Sequence, residues 1–427
     1  MAWDGYYQYA GQEFINIART EAYATGTPWF KPGRTGTDLP AMLAETYVSP
    51  MVDNAPWTDP DNPASYEFWG LYPLDVAGIE DATVTSNTVE STGDGGVAGR
   101  VRRGTKTVVF NAMVLASSDC GADYGVRWLR ALLNGSACGT LATQTCNGDD
   151  LCYLSCEPGY DHYGSGANPW DCLDDFKRNL RKVVFNNGPT VTSKRNTSDG
   201  GAVWTVSFTG VAGSPYEFGE EKPVVTGFLS ANTVFASGVT AIETPYLFTE
   251  FDCAVQVYSP VYDPLCPAIV VPPDPPSVPL GCYTPPRNCF RRTVNIPNTM
   301  IPLWSDAVPL IKVNAVDADV RNLRLRFYAD VNHDGLIEDD PCAYCGDIVI
   351  SYIPEGGTMV FDASDQVVYV EAPGGFRRRA DNLVFATDGT PFQWPTLSCG
   401  FAYIVAFDLP QTGIAPTIDM SLFNRVA

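Results

Sequence analysis

The chain has 427 residues and a formal net charge of −22. A chain of this length exceeds the size at which a single hydrophobic core usually keeps growing, so we expect two or three domains. The acidic balance argues against sequence-specific nucleic-acid binding, because phosphate contacts need clustered Lys and Arg. No apolar stretch approaches the roughly 18 to 20 residues that span a bilayer. The first residues also lack the basic and apolar regions of a secretory signal, so we expect no membrane insertion.

Composition favours many short strands. Hydrophobic residues make up 45% and charged residues 18%, with 38 Gly and 34 Pro, a turn-rich mixture typical of mainly β proteins. Only two histidines occur, His162 and His333, which weakens the hypothesis of a catalytic histidine or a His-rich metal site. The nucleophile-elbow, zinc-protease and phosphate-loop motifs do not occur either. We therefore predict that the protein is not an enzyme and requires no cofactor.

In the first half of the chain, the pattern predicts two helices and a buried strand. Residues from Glu13 to Ala24 place apolar side chains at helical spacing. Residues from Thr105 to Ala116 are β-branched and apolar, which predicts a buried strand. The second helix has N-cap candidates at residues 117–119, an apolar face from Tyr124 to Leu133, and Gly135 in a C-cap position.

The stretch that follows is harder to assign. Residues 138–172 are rich in Cys and Gly and show neither a helical nor a strand period, so we interpret them as a loop insertion. Residues from Leu180 to Phe185 and from Thr190 to Ser193 predict the two arms of a hairpin that turns at residues 186–188. A further strand is predicted over residues 204–208.

A Pro-rich connector over residues 266–290 marks the main predicted domain boundary. It separates an N-terminal domain, residues 1–265, from a C-terminal domain, residues 291–427. In the second domain apolar and polar side chains alternate along a predicted strand, with Leu323, Leu325 and Phe327 on one face and Arg324, Arg326 and Tyr328 on the other. Several such strands between Gly, Pro and Asp turns are typical of a β-sandwich.

An acidic loop in the second domain resembles the first half of an EF-hand calcium loop. The candidate ligands are Asp330, Asn332, Asp334, Leu336, Glu338 and Asp340. Alternate oxygen ligands with Gly335 at the sixth position suit a tight wrap around calcium. However, Pro341 stands at the twelfth position, where a bidentate Glu is usual. The alternative is a solvated acidic turn between two strands, so calcium is a candidate ligand and not a required one.

Cysteine chemistry is the second candidate site. The chain has 13 cysteines, and Cys342 and Cys345 form a C-x-x-C pair that is the leading disulfide candidate. A structural zinc site needs four ligands, and no second C-x-x-C pair accompanies this one. Free buried thiols are the third interpretation, because Cys often packs as a small apolar residue.

Two basic runs and three aromatic residues each have two interpretations. Arg100, Arg102 and Arg103 with Lys106, and the run from Arg377 to Arg379, are able to meet phosphate or an acidic neighbouring subunit. The simpler interpretation is a solvated edge strand or loop. Aromatic side chains that stack on a sugar ring would suit an adhesin, and the candidates are Trp304, Trp394 and Tyr403. Both tryptophans lie in apolar stretches, where aromatic residues are more often core.

The sequence resembles the distal tail or minor tail proteins of long-tailed, siphovirus-type bacteriophages of actinobacteria. The resemblance begins with residues Phe14 to Ala24, FINIARTEAYA, and with Phe68 to Arg103, which leads into Tyr124 to Gly135. Four stretches of the second half also carry it: Ile301 to Leu310, Arg324 to Asp330, Pro341 to Gly356 and Phe392 to Pro410. None of these stretches is a catalytic signature, so the resemblance rests on overall pattern.

This resemblance implies a mainly β virion protein of the tail tip or baseplate. An N-terminal ring-forming β-sandwich with one helix would be followed by a galectin-like β-sandwich. Such proteins typically form a homohexameric ring at the distal end of the tail, where the ring joins the tail tube to the tip and surrounds the DNA path. The tail tube protein and other tail-tip proteins would be the partners, with assembly in the host cytoplasm. A carbohydrate-binding adhesin that contacts the host surface is the alternative, and carboxylate pairs such as Asp174 with Asp175 keep a hydrolase as a third class.

The incomplete calcium loop generates a first prediction. Calorimetric titration with calcium should give a shallow isotherm that disappears in Asp334→Ala, or no heat at all, because the twelfth ligand is missing. A nanomolar isotherm that survives Asp334→Ala would show that the ligands are assigned wrongly.

Overall fold

Strands carry most of the regular structure in the computed structural model of the protein. It describes residues 3–31, 39–81, 84–86, 88–90, 96–99, 102–134, 148–158, 176–247, 288–332, 344–386, 389–398, 400–410 and 416–426. The chain divides into two units, Met1–Glu220 and Glu221–Val426. Few helices occur among the described residues, and none of them is long and apolar enough to cross a membrane. The predicted mainly β fold is confirmed.

Unit 1 is a β structure with four helices among its described residues. Its helices are α1 (Ile17–Ala24), α2 (Leu39–Met42), α3 (Ala64–Glu67) and α4 (Asp119–Leu133). Its strands are β1 (Tyr6–Tyr9), β2 (Gln12–Asn16), β3 (Phe68–Ala77), β4 (Val84–Thr85), β5 (Thr88–Glu90), β6 (Gly96–Ala98), β7 (Arg102–Arg103), β8 (Lys106–Ala116), β9 (Asp149–Leu154), β10 (Lys177–Asn196), β11 (Ala202–Ala212) and the start of β12 (Glu217–Phe228).

Seven of these strands close into a barrel. Their order is β11, β8, β3, β2, β1, β9 and β10, and β10 pairs back onto β11. Aromatic side chains fill the interior: Phe110 stacks on Phe208 with ring centroids 4.9 Å apart, and Tyr7 meets Phe110 edge-on at 5.2 Å. All three side chains are buried. The sandwich predicted for this unit is therefore a sheet that closes on itself, as inward-facing apolar residues on every strand allow.

Helix α4 matches its prediction. The Ser118 side chain accepts a hydrogen bond from the Gly121 N–H at 3.0 Å, which caps the first turn. The buried face of the helix includes Val126 and Leu129. A side chain at Gly125 would lie 2.5 Å from the Phe68 ring, so this glycine lets the helix approach the sheet closely.

The first predicted helix is wrong in its first half. Residues Gln12–Asn16 form strand β2, and helix α1 begins only at Ile17. The Asn16 side chain caps it by accepting from the Arg19 N–H at 3.0 Å. An N-cap residue has extended backbone, so Asn16 ends the strand and starts the helix in one step.

Two further predictions in unit 1 need correction. The Cys-rich stretch over 138–172 contains a core strand, β9, whose Leu151 and Tyr153 are buried; residues 138–147 and 159–172 lie outside the described residues. The hairpin predicted to turn at residues 186–188 is a single 20-residue strand, β10. Register shifts in its ladder with β11 accommodate these polar residues as bulges, and the chain turns only after Asn196.

Unit 2 is a β-sandwich. Its strands are β13 (Val234–Phe235), β14 (Thr240–Leu247), β15 (Asn288–Ile296), β16 (Asp306–Asn314), β17 (Val320–Asp330), β18 (Gly346–Ile353), β19 (Thr358–Asp362), β20 (Val367–Glu371), β21 (Arg377–Arg379), β22 (Val384–Phe385), β23 (Ala402–Pro410) and β24 (Thr417–Val426). One sheet runs β12, β24, β16, β19, β20, β21, and the other runs β14, β15, β23, β17, β18, β22. Short 3-10 helices cover Asn298–Met300 and Asp381–Leu383.

Apolar side chains from both sheets of unit 2 form one core. Ile311 and Phe361 from the first sheet pack in the same buried cluster as Leu325, Phe327 and Phe407 from the second. The predicted alternation along Val320–Asp330 is confirmed on this face. A two-sheet sandwich is the arrangement that such alternating strands produce.

The units divide earlier in the chain than the Pro-rich connector. Val224, Val225 and Phe228 are buried in the core of unit 2, so this unit starts within β12 and not near residue 265. Strands β14 and β15 pair with each other on either side of residues 248–287, which lie outside the described residues. The connector predicted over residues 266–290 thus falls almost wholly outside them and stays a prediction.

Candidate functional site

The predicted calcium loop is described only at its start. Asp330 ends β17 and is buried, whereas Asn332 is exposed. Asp334, Leu336, Glu338 and Asp340 lie outside the described residues, so the loop stays a prediction. Among the residues that the structure describes, no three His, Cys, Asp or Glu side chains are grouped to hold a metal ion.

One member of the predicted cysteine pair is placed. The Sγ of Cys345 lies 3.2 Å from the Phe327 carbonyl oxygen. Burial raises the pKa of this thiol, so it is less easily ionised than an ordinary cysteine. Cys342 lies outside the described residues, and the pairing of Cys342 with Cys345 stays a prediction.

The structure places the residues of the first basic run in different environments. Lys106 is buried and donates to the Glu217 carboxylate at 2.6 Å and to the Ile79 carbonyl at 2.9 Å. Arg102 and Arg103 are exposed, while Arg100 lies outside the described residues. Lys106 therefore connects β8 to the segments that carry Ile79 and Glu217. It is not part of a surface patch.

The second basic run matches the simpler of its two interpretations. Strand β21, Arg377–Arg379, is exposed and lies at the end of its sheet. Arg379 pairs with Asp381 at 3.1 Å and Arg377 lies 5.0 Å from the Tyr369 ring. Charged side chains on an edge strand discourage unwanted strand pairing.

The segment 84–103, named here the arm, contains two short β-ribbons of unit 1. Strands β4 and β7 pair with each other, and β5 pairs with β6. Every arm residue whose exposure is described is exposed: Val84, Thr85, Ser86, Gly99, Arg102 and Arg103. Arg103 of β7 also lies over the Tyr216 ring, with its guanidinium carbon 5.4 Å from the ring centroid. A two-stranded ribbon is marginally stable by itself in water.

A second surface of unit 1, named here the β3 cleft, lies where strand β3 no longer pairs with β2. Strand β3 pairs with β2 through a single residue pair, Ile15 with Leu71, while its other edge pairs with β8 along most of its length. The edge from Leu74 to Ala77 that faces away from β8 has no strand partner among the described residues. A cleft of about 650 Å³ lies beside it.

The lining of the β3 cleft is acidic and partly apolar. Its carboxylates are Asp4, Asp75, Glu80, Asp81 and Glu157, and its apolar side chains include Trp3 and Leu74. Carboxylates in such a concave site favour a basic partner. Below the lining, burial raises the pKa of the Tyr7 hydroxyl, and the carboxylates of Asp4 and Glu80 raise it further. This hydroxyl is buried without a hydrogen-bond partner in the described structure.

Unit 2 contains a buried charged layer that the sequence pattern did not reveal. The Arg291 guanidinium on β15 donates two hydrogen bonds, of 2.6 and 2.9 Å, to the Asp408 carboxylate on β23. Arg326 on β17 lies 3.4 Å from Asp347 on β18, and Arg324 is the register partner of Asp408. All five side chains are buried. They line the face of the sheet opposite the apolar core, because successive side chains of a strand point to opposite faces.

The aromatic residues of unit 2 divide between surface and core. Trp394 packs against the apolar core, as predicted, and Tyr403 is also buried. Trp304 is 77% exposed and its neighbour Leu303 is 76% exposed, so the expectation that Trp304 is a core residue is wrong. The turn that carries them is held by the Ser305 N–H, which donates to the Pro302 carbonyl at 3.1 Å.

The geometry thus defines a mainly β protein with a closed barrel followed by a sandwich. No protein-family model and no curated protein sequence matches the chain. Two similar solved structures come from phages. The first is the Dit (gp 19.1) protein of SPP1, a hub adsorption apparatus protein of Gram-positive infecting phages, with 9% identity and a TM-score of 0.38 over 84% of this chain and 94% of that one. The second is the baseplate of phage P2 in its activated conformation with Ca, with 10% identity and a TM-score of 0.37 over 84% and 91%.

The buried charged layer generates a stability prediction. Asp408→Ala should lower the free energy of unfolding by about 3 to 5 kcal/mol, because it leaves the Arg291 guanidinium buried without its partner. The matched control is Asp381→Ala, which removes an exposed ion pair with Arg379 and should cost about 0 to 1 kcal/mol. Urea unfolding of both variants measures the difference, and equal losses would contradict a structural role for the layer.

The same carboxyl predicts a pH dependence. Burial alone raises the pKa of Asp408, but contact with Arg291 and the charges of Arg324 and Arg326 outweigh it and hold the pKa below its ordinary value. The stability that this carboxylate contributes is therefore complete above the unfolded pKa of about 3.9 and is lost as the pH falls through the lower folded value. The unfolding free energy of Asp408→Asn should consequently depend less steeply on pH below about 4 than that of the natural chain.

Proposed function

We propose that the chain is a non-enzymatic structural protein of the bacteriophage virion. It acts as a distal tail protein of a siphovirus-type phage of actinobacteria. Copies of the chain form a hexameric ring at the distal end of the tail, which joins the tail tube to the tail tip and surrounds the DNA path. The tail tube protein and other tail-tip proteins are its partners, and assembly takes place in the host cytoplasm.

The arm is the observation that carries this proposal. It is an exposed β-ribbon in unit 1, and the residues from Phe68 to Arg103 also carry much of the sequence resemblance to tail proteins. A two-stranded ribbon is marginally stable by itself, and a neighbouring copy would supply further contacts. Head-to-tail contacts of this type close into a ring when the rotation between copies is suitable.

The order and charge of the two units also support a tail role. A β unit with one long helix, α4, precedes a β-sandwich, which is the order that the sequence resemblance implies. In this proposal the second domain is galectin-like and adds little to ring closure. The net charge of −22 supports a wall along the DNA path, because an acidic surface repels passing phosphates and does not trap them.

The proposal predicts the mass of the purified full-length protein in solution. Light scattering should give about six times the chain mass, and negatively stained particles should appear as closed rings. A monomer at micromolar concentration, or open filaments of indefinite length, would rule out a ring-forming hub.

A carbohydrate-binding adhesin is the second candidate, and the exposure of Trp304 favours it. An aromatic ring that is 77% exposed beside an equally exposed leucine is unusual on a soluble protein. Aromatic rings offer a flat apolar face with a polar tip for ligand contact. In a tail tip, this surface would contact glycans of the host.

The adhesin candidate predicts a binding defect. On an array of immobilised oligosaccharides, Trp304→Ala should reduce binding at least tenfold, because stacking on the ring is lost. Val316→Ala is the matched control, since Val316 is an apolar residue of the same unit that is 56% exposed. Absence of glycan binding by the natural chain, or equal binding by both variants, would exclude Trp304 as a sugar platform.

A further inference from the structure

Two strand edges of unit 1 are among those that have no strand partner in the described residues. One is the Leu74 to Ala77 edge of β3 in the β3 cleft. The other belongs to β10, which pairs with β9 only from Lys177 to Val183 and with β11 from Val183 onward. The later part of β10 thus has a ladder on one side only. Unpaired strand edges present free N–H and C=O groups that another strand can join.

The two edges carry opposite charge. The end of β10 from Thr192 to Asn196, named here the β10 rim, is exposed throughout and includes Lys194 and Arg195. The β3 cleft presents Asp75, Asp81 and three further carboxylates. Opposite charge across an interface speeds encounter and selects the correct partner.

The two edges lie on different strands of one barrel, with β11 and β8 between them. Register through these strands places Val191 level with Pro73 and Arg195 level with Gly70. Arg195 is therefore offset from Asp75 by five residues, roughly 16 Å along the strand direction at about 3.3 Å per residue. Complementary surfaces at separate places on one molecule generate head-to-tail assembly between copies.

The sequence of β3 agrees with an edge position. Pro73 lies within this strand at a register shift of the ladder with β8. Proline has no N–H to donate, so it is confined to edges and bulges. The cleft beside the strand, about 650 Å³ in volume, is within the range of binding clefts. Its apolar lining, with Leu74 43% exposed, would be covered by an added strand.

From these observations we propose that the β10 rim of one copy docks in the β3 cleft of the next. The rim adds to the open edge of β3, while Lys194 and Arg195 face the carboxylates of the cleft. The partner is therefore a second copy of this chain. This inference rests on the proposed ring and assigns to it a second contact between neighbouring copies, beside that of the arm.

Charge reversal tests the assignment on the full-length chain. Lys194→Glu with Arg195→Glu should weaken assembly at least tenfold in mass photometry, and Asp75→Lys with Asp81→Lys should do the same, because each places like charges in contact. All four substitutions together should restore assembly to within about threefold of the natural chain. The control is Arg377→Glu with Arg378→Glu, which changes the net charge equally in unit 2 and should leave assembly unchanged.

The outcomes separate this inference from the proposed function. If the natural chain assembles and either doubly reversed variant assembles equally well, the assigned surfaces are wrong. The proposed ring is not contradicted by that result. A fourfold variant that keeps its native thermal melt but stays dissociated also overturns the assigned surfaces. A natural chain that never assembles contradicts the proposed function itself. If a reversal destroys the native melt, Lys194→Gln with Arg195→Gln, and Asp75→Asn with Asp81→Asn, carry the same test and should each weaken assembly.

Discussion

Strand β10 is the element on which the rest of unit 1 depends. Its first part pairs with β9 and its later part with β11, so one strand closes the barrel and brings Phe185 beside Phe110 and Phe208 in the interior. Because the ladder partner changes near Val183, the strand ends with one edge unpaired among the described residues. Closure of the core and the presence of an unpaired strand edge are thus two consequences of the same strand.

Unit 2 has a buried charged layer in addition to its apolar core. Strand β17 is buried on both faces, with Leu325 and Phe327 toward the apolar core and Arg324 and Arg326 in the charged layer. A buried charge is costly unless it is paired and hydrogen-bonded. The two bonds between Arg291 and Asp408 meet this requirement in a geometry that only arginine offers. Such a layer constrains the register of neighbouring strands more strictly than interchangeable aliphatic side chains do.

Local signals predicted some elements well. Helix α4 followed from the Ser118 cap and a periodic apolar face, and β8 from a β-branched run, because these elements are determined by neighbouring residues. Longer-range effects overrode local ones elsewhere. The polar residues 186–188 looked like a turn, yet bulges absorbed them once β11 was available as a partner. The alternation placed Arg324 and Arg326 on one face but did not predict its burial, because the acidic partners Asp347 and Asp408 lie elsewhere in the sequence. The openness of the β3 edge depends on which strands pair, which the sequence pattern of β3 alone does not determine.

Cryo-electron microscopy of the particle formed by the full-length protein tests the central claim most directly. The account predicts a closed ring of copies in which unit 1 makes every contact that closes it, with Lys194 and Arg195 of each copy beside Asp75 and Asp81 of the next. A ring closed by contacts between copies of unit 2, or a particle in which the β3 cleft stays open to solvent, would contradict it.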